Sequence, residues 1–367
     1  MPKMKTVPIS VVTSVFNGEA FLGQAIESIL DQSFLDFEFL VIDDGSTDST
    51  PKIISNYAHR DKRIRVVRHD NRGRAESLNI GIGLASGKYI ARMDADDVAL
   101  PHRLEKQIEF MEQNPGVGVL GGAYDLINVN GDVINRVRPP LEDTEIRSLM
   151  LRYNPMCHPT VVMKKDIALA SGGYRAALLD ADDYDLFLRM AERSKLANLQ
   201  ESVLQYRLHA GQVSVRNLKH QTFCVVAARY AASVRGSGRT DPLSNVTEIS
   251  AELLSSFGVA AEEINYSLSG AYSYWIETLG QSDPEGSLRM IQELLELGES
   301  GYIERQDLAN AWWRAGGIHL RRGRPGRALL AIAHAALANP DVAKRFVKWP
   351  FKRIITALNG RPKPYKP

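Results

Sequence analysis

Apolar and polar positions follow two rhythms along the first half of the chain. Short, mostly apolar runs, Ile9 to Val15, Phe37 to Ile42, Ile64 to Val67 and Tyr89 to Met93, read as strands. Between them apolar residues recur at helical spacing: Leu22, Ala25, Ile26, Ile29 and Leu30, then Ile53 and Ile54, then Leu78, Ile82 and Ala85. Gly87 is the expected C-terminal cap of the third helix. Strands alternating with helices predict an α/β fold around a largely parallel sheet.

After Pro115 the pattern loosens. Val117 to Leu120 and Thr160 to Met163 read as strands, and Tyr184 to Ala191 as a helix opened by acids. Asn130-Gly131, between Leu126-Ile127 and Val133-Ile134, predicts a two-residue hairpin turn. Beyond about residue 218 long alanine- and leucine-rich segments carry helical spacing to Ala338. Ala311 to Pro340 has the pattern of a tetratricopeptide-type helix pair, and aligning Pro284 with Pro325 suggests a second copy about 41 residues earlier. That offset exceeds the usual period of about 34, so an ordinary helical appendage is the competing reading. The expected organisation is an α/β domain over 1–217, a helical domain over 218–340 and a basic tail over 341–367.

Composition changes this picture little. Hydrophobic residues make up 44% and charged residues 24% of the 367, ordinary globular values that exclude a disordered or fibrous chain. A net charge of +2 gives no general argument for nucleic acid as a partner. Two cysteines, Cys157 and Cys224, exclude a disulfide framework. Lys3 and Lys5 before the apolar run from Val7 to Phe16 imitate a signal peptide, but Asn17-Gly18-Glu19 follows instead of a cleavage site, which favours a buried first strand. No run of about 18 apolar residues occurs, so no spanning helix is expected.

The candidate chemistry lies in three acidic clusters. Asp94-Ala95-Asp96-Asp97 follows the fourth strand, and alternate residues of an extended segment face one side, so Asp94 and Asp96 can share a divalent cation. Hard carboxylate oxygens suit Mn2+ or Mg2+, which neutralise a diphosphate. The plainer alternative is that Asp96 or Asp97 caps the helix beginning near Pro101. Asp43-Asp44-Gly45-Ser46-Thr47-Asp48 ends the second strand and would serve equally as a turn with a helix cap. Asp182-Asp183, with Asp180 and Asp185 nearby, opens a helix whose dipole favours acids. Crowded carboxylates also raise one another's pKa, which makes a usable general base.

With these clusters come Ser10 to Asn17 with Glu19, Leu78-Asn79, His158-Pro159-Thr160, Gly173-Tyr174 and Tyr206-Arg207-Leu208-His209. In this order and spacing the chain resembles the family 2 glycosyltransferases from about Val7 to Ser214, a little over half its length. The resemblance implies the GT-A fold, a Rossmann-like, mixed and mostly parallel sheet flanked by helices, here followed by a helical region. It also implies inverting transfer of a single sugar from a nucleotide diphosphate-sugar, a UDP-sugar favoured, to a glycan or lipid-linked acceptor in cell-surface glycan synthesis.

Residue by residue, Thr13, Asn17, Glu19 and Asp44 match the nucleotide pocket, with Asp44 on the base edge. Arg72 or Arg74 matches a basic residue that touches the nucleotide. Asp94 matches an acid near the ribose or donor sugar, Asp96 the main metal ligand, and Asp183 the catalytic base. Where the family has Glu-Asp this chain has Asp182-Asp183, which leaves Asp182 as the alternate base. His209 matches a residue near the diphosphate or metal; a histidine on a surface strand is the other reading. Gln212 is followed by Val213-Ser214-Val215-Arg216, which departs from the Gln-x-x-Arg-Trp motif of processive synthases.

Two rival functions frame this reading. A sugar-nucleotide nucleotidyltransferase would carry a glycine-rich, arginine-containing loop where Thr13-Ser14-Val15-Phe16-Asn17-Gly18 stands. An inactive transferase-like scaffold sits poorly with acids intact at all three clusters. In the tail, Lys344, Arg345, Lys348, Lys352, Arg353, Arg361, Lys363 and Lys366 interleave with Phe346, Trp349, Phe351, Ile354 and Ile355. Such a segment suits an anionic bilayer surface as well as it suits solvent, and predicts a cytoplasmic protein that is peripheral on the inner face of the plasma membrane.

Overall fold

The computed structural model describes residues 7–179, 181–209, 217–299 and 303–341; Lys3, Lys5, Asp180, the 212–216 stretch and the basic tail beyond 341 lie outside the described residues. The chain divides into two compact units, Met1–Leu254 and Ser255–Pro367.

The first unit begins β1 (Ile9–Val15), α1 (Leu22–Leu30), β2 (Phe37–Asp43), α2 (Thr50–Arg60), β3 (Ile64–Arg68), α3 (Arg74–Leu84) and β4 (Tyr89–Arg92). These are the elements expected from the apolar rhythms. β5 (Val98–Ala99), α4 (Arg103–Gln113), β6 (Val117–Ile127), β7 (Val133–Val137) and α5 (Asp143–Met150) follow. Then come β8 (Val162–Lys164), α6 (Lys165–Ala170), α7 (Asp182–Ala191), β9 (Lys195–Arg207) and α8 (Leu218–Gly236), while α9 (Ala251–Ser256) spans the boundary at Leu254. The described strands form one mixed sheet in the order β3-β2-β1-β4-β8-β6-β9-β5, with β7 on the far side of β6. β3, β2, β1 and β4 run parallel, as do β6 and β9, while β8 joins the halves antiparallel to both β4 and β6.

Both faces of the central strands β1, β2 and β4 are covered, which is why most of their positions are apolar rather than alternating. Ile9, Val11, Phe39 and Val41 pack with Leu22, Ile26 and Ile29 of α1 and Leu104 of α4. On the opposite face Val12, Leu40 and Ile42 pack with Leu78 and Ile82 of α3 and with Leu186 and Phe187 of α7. Each such buried side chain contributes roughly 1.5–3 kcal/mol. Helix α8 lies in this unit and buries Ala228 in the second cluster.

Three local expectations are corrected. Gly87 does not cap α3, whose cap position is Ala85 in extended conformation. Instead a Cβ at Gly87 would stand 2.6 Å from Ser10 N and 2.7 Å from Ile9 C, so the glycine admits the chain beside β1. The β6–β7 turn is wider than two residues, since Asn128 N–H donates to Asp132 O at 3.0 Å. Of its inner residues only Gly131 has positive φ, at +90°, the signature of a three-residue loop closing on a glycine. His158–Thr160 is a 3₁₀ turn, and the strand starts at Val162. β9 escapes the periodicity because exposed Gln200 and Glu201 interrupt its apolar positions where its register with β6 shifts.

The second unit contains α10 (Ala261–Ser282), α11 (Pro284–Glu299), α12 (Arg305–Arg321) and α13 (Pro325–Ala338). Pro284 and Pro325 each open the second helix of a pair, where a missing N–H costs nothing. Gly316 lets α12 approach α13 closely, since a Cβ there would lie 2.7 Å from Ile332. Among the described residues, no helix is long and apolar enough to cross a membrane.

Candidate active site

β1, β2 and β4 run parallel and end along one edge, where their last residues and the loops that follow can leave the core. Asn17, just past β1, has φ +52°, a conformation asparagine tolerates. Its Oδ1 accepts from Thr47 N–H at 2.8 Å, and its own N–H donates to Ser46 Oγ at 3.0 Å, which ties the loop after β1 to the loop after β2. Glu19 Oε2 accepts from Ser49 N–H at 2.9 Å and Asp48 Oδ1 from Thr50 N–H at 2.9 Å, so both carboxylates serve the N-terminus of α2. Thr13 lies buried in β1, its Oγ1 without a hydrogen-bond partner.

Asp44 is 3% exposed and accepts from the main-chain N–H groups of Arg72 at 2.7 Å and Gly73 at 3.0 Å. Both its oxygens thus carry the loop that leads into α3. The two candidate arginines part company here. Arg72 is exposed and pairs with Glu76 at 3.0 Å, whereas Arg74 reaches across to Asp182 at 2.6 Å.

The acidic loop after β4 brings three carboxylates together. Ligand oxygens of Asp94, Asp96 and Asp97 all lie within 4.8 Å of one another. The helix-cap alternative does not apply, because α4 is preceded by His102 with no side-chain cap bond. Asp94 pairs with the buried Arg92 at 2.5 Å, and Asp96 with His209 Nε2 at 2.8 Å. Asp97 is 1% exposed; Oδ1 accepts from Arg207 N–H at 2.8 Å and Oδ2 has no hydrogen-bond partner.

His209 and Arg207 arrive because β5 pairs antiparallel with β9, Val98 opposite Gln205. Continuing that register puts Arg207 opposite Asp96, 111 residues away along the chain. Burial pushes the Asp97 carboxyl well above the ordinary range, and the neighbouring charges of Asp96 and Asp94 push it further. Asp94 is raised chiefly by burial, against the lowering effect of Arg92. Three crowded hard carboxylates, one with an orphaned buried oxygen, fit a divalent cation such as Mn2+ or Mg2+.

The third cluster opens α7. Asp182 is fully buried; Oδ1 takes the Arg74 guanidinium and Oδ2 has no hydrogen-bond partner. Asp183 is only partly buried, and its Oδ2 accepts from Asn154 Nδ2 at 3.1 Å. Its carboxyl is pushed up to about 7, first by burial and then by the charge of Asp182, with Arg74 opposing. Asp185 is spent on Arg189, at 2.5 Å. Arg74 stands in the field of Asp182, Asp183 and Asp94 together, and Cys157 in that of Asp97, Asp94 and Asp183. The acids after β4 and those opening α7 therefore lie near the same two side chains.

Tyr174 is buried near the acids that open α7. Tyr174 N–H donates to Asn79 Oδ1 and Tyr174 O accepts from Asn79 Nδ2, both at 2.8 Å, while its hydroxyl meets His158 Nε2 at 2.8 Å. Gly173, at φ +66°, leaves room for Asn79, whose Oδ1 would lie 2.4 Å from an added Cβ. Burial, then the charges of Arg92 and Arg74, holds His158 neutral, well below the usual imidazole range.

Sequence reasoning offered Asp97 only as a helix cap, quoted Arg207 only as part of a motif, and gave no role to Arg92 or Asn154. A signal existed for Arg92, which stands inside the run Tyr89 to Met93, where a buried charge must find partners; Arg207 ends β9 beside Leu208, with no comparable apolar run around it.

The profile of glycosyl transferase family 2 matches residues 10–172. The chain is 34% identical over 205 residues to the O-antigen biosynthesis glycosyltransferase WbnJ of Escherichia coli, a match covering 55% of this chain and 80% of that one. It is 36% identical over 207 residues to the putative glycosyltransferase EpsE of Bacillus subtilis, covering 54% and 72%. The crystal structure of S. aureus TarS 1-349 in complex with UDP-GlcNAc aligns over 93% of this chain and 92% of that one, with TM-score 0.53 and 15% identity. That likeness extends the shared fold, of GT-A type with a C-terminal helical region, well beyond the stretch matched in sequence.

Proposed function

Since the chain belongs to glycosyl transferase family 2 and is a glycosyltransferase, we propose that it moves one sugar from a nucleotide diphosphate-sugar, a UDP-sugar foremost, to an acceptor hydroxyl with inversion. The observation that carries this reading is the cluster of Asp94, Asp96 and Asp97, with the second acid pair, Asp182 and Asp183, held by Arg74 and Asn154.

In this reading Asp183 is the general base. A carboxyl held near about 7 is substantially ionised at neutral pH yet takes a proton readily. Asn154 aims its oxygen, and Asp182, fully buried and bound by Arg74, is the poorer candidate. Asp183 accepts the acceptor's proton as that oxygen bonds to the anomeric carbon, and the diphosphate leaves from the opposite face with the bonding electrons. Asp94, Asp96 and Asp97, with His209 beside Asp96, would hold Mn2+ or Mg2+, which when bound neutralises charge on the departing diphosphate. Thr13, Asn17, Glu19 and Asp44 shape the nucleotide pocket. Arg72 is the arginine proposed to meet the nucleotide, since Arg74 is engaged by Asp182.

A glycan or lipid-linked acceptor in cell-surface glycan synthesis is supported by the name of the Escherichia coli relative. The cations and aromatics of the tail support attachment to the anionic inner face of the plasma membrane. To test the reading, nucleotide sugars are screened for Mn2+-dependent thermal stabilisation, and hits are assayed for nucleoside diphosphate release. Asp183→Asn should lower turnover by about 10²–10⁴ while the donor still stabilises the protein. Near-normal turnover by that variant would remove Asp183 from the role.

A further inference from the structure

Arg207 does more in the first unit than close β9. Its side chain reaches three separate segments. Nε donates to Asp96 O at 2.8 Å, Nη1 to Asn128 O at 3.2 Å and Val129 O at 3.3 Å, and Nη2 to Gln24 Oε1 at 2.6 Å. The guanidinium also lies 4.6 Å from the centroid of the Phe21 ring. Its main-chain N–H is the donor to Asp97 Oδ1. The residue is 2% exposed.

The choice of partners is informative. A buried arginine beside three aspartates would ordinarily neutralise one of them through a bidentate ion pair. Here the guanidinium takes the main-chain carbonyl of Asp96 and leaves the Asp96 carboxylate to His209. The loop is thus held by its backbone while its carboxylates stay turned toward one another. Phe21 extends the clamp: the ring that carries Arg207 also packs against His209, with ring centroids 5.2 Å apart. Arg207 consequently fixes both the loop bearing Asp96 and Asp97 and the ring against which His209 rests.

We propose that Arg207 is a positioning residue that presets the Asp94–Asp96–Asp97 loop and His209 for a divalent cation, with Gln24 and Phe21 as its supports. The inference rests on the cation-dependent reading above. It goes beyond that reading by assigning the site's preorganisation to residues that touch neither cation nor sugar. Lysine cannot replace the planar fork, because a single ammonium cannot span Asp96 O, the hairpin carbonyls and Gln24 together.

The test is Mn2+ titration by calorimetry on the purified full chain, without donor or acceptor, beside melting in chelator. Wild type should bind Mn2+. Arg207→Lys should bind it about 10- to 100-fold more weakly, the loss typical when an outer support of a metal site is removed. Gln24 is exposed, so Gln24→Ala should leave the chelator melt unchanged and still weaken Mn2+ in the same direction. Phe21→Trp, which keeps a ring under the guanidinium, should retain more affinity than Phe21→Leu. Should Arg207→Lys fail to fold, the Gln24 and Phe21 variants decide the matter. Equal Mn2+ affinity in wild type and these variants overturns the inference and leaves the cation-dependent reading standing. Absence of Mn2+ and Mg2+ binding by wild type overturns both.

Discussion

Replacing Asp183 by asparagine should inactivate the enzyme and also make it more stable above neutral pH. The carboxyl is raised from 3.8 to about 7, by burial first and by the charge of Asp182 second. The folded protein therefore holds this proton more tightly than the unfolded chain does. That preference favours folding fully below the unfolded value of 3.8, and it is lost as pH rises through about 7. At about 1.4 kcal/mol per pH unit, a span of about 3 units makes the ionised carboxylate destabilising by about 4 kcal/mol above neutrality.

Asparagine keeps the shape and an acceptor for the Asn154 amide, yet never ionises. The variant should match wild type near pH 4 and pull ahead as pH rises, by on the order of 10 °C in Tm at about pH 8. Melts are run in chelator, so that cation binding does not enter. The tryptophans among the described residues, Trp275, Trp312 and Trp313, lie in the second unit, and the fourth, Trp349, follows them in the sequence. Tryptophan fluorescence therefore marks that unit's transition, and calorimetry follows the first. Because Asp182 and Asp183 interact, the titration step read this way belongs to the pair. A stability difference that is the same at about pH 5 and about pH 8, or that favours wild type in alkaline buffer, would refute the electrostatic argument.

Two further outcomes follow from the same structure. Burial and mutual repulsion raise Asp97 and Asp94, so cation binding should displace protons and tighten with rising pH. Calorimetry in buffers of different ionisation enthalpy reads the released protons, and buffer-independent heats with flat affinity from about pH 6 to about pH 8 would contradict this. Gly87→Ala would drive a Cβ into the backbone of Ser10 and Ile9. It should cost roughly 1–3 kcal/mol in the first unit's melt, whereas an unchanged Tm would mean that the chain does not pass so close to β1.

Much of this was legible in the sequence. Mostly apolar runs separated by helical spacing determined the α/β layering, because a strand covered on both faces has few positions open to water. The same constraint put acids where β2 and β4 end, and the order of motifs singled out Asp96 and Asp183. Which of many similar acids would be free for chemistry was not legible. Glu19, Asp44 and Asp185 carry the same group as Asp96 and Asp183, yet they are occupied by backbone donors or by arginine.

That division depends on partners distant along the chain: Arg74 with Asp182 across 108 residues, His209 with Asp96 across 113, and Arg207 with Gln24 across 183. Local pattern fixes what a side chain can do by its chemistry and periodicity. What surrounds it, and hence its charge, its freedom and its task, is decided only when the sheet closes and brings those remote segments into contact.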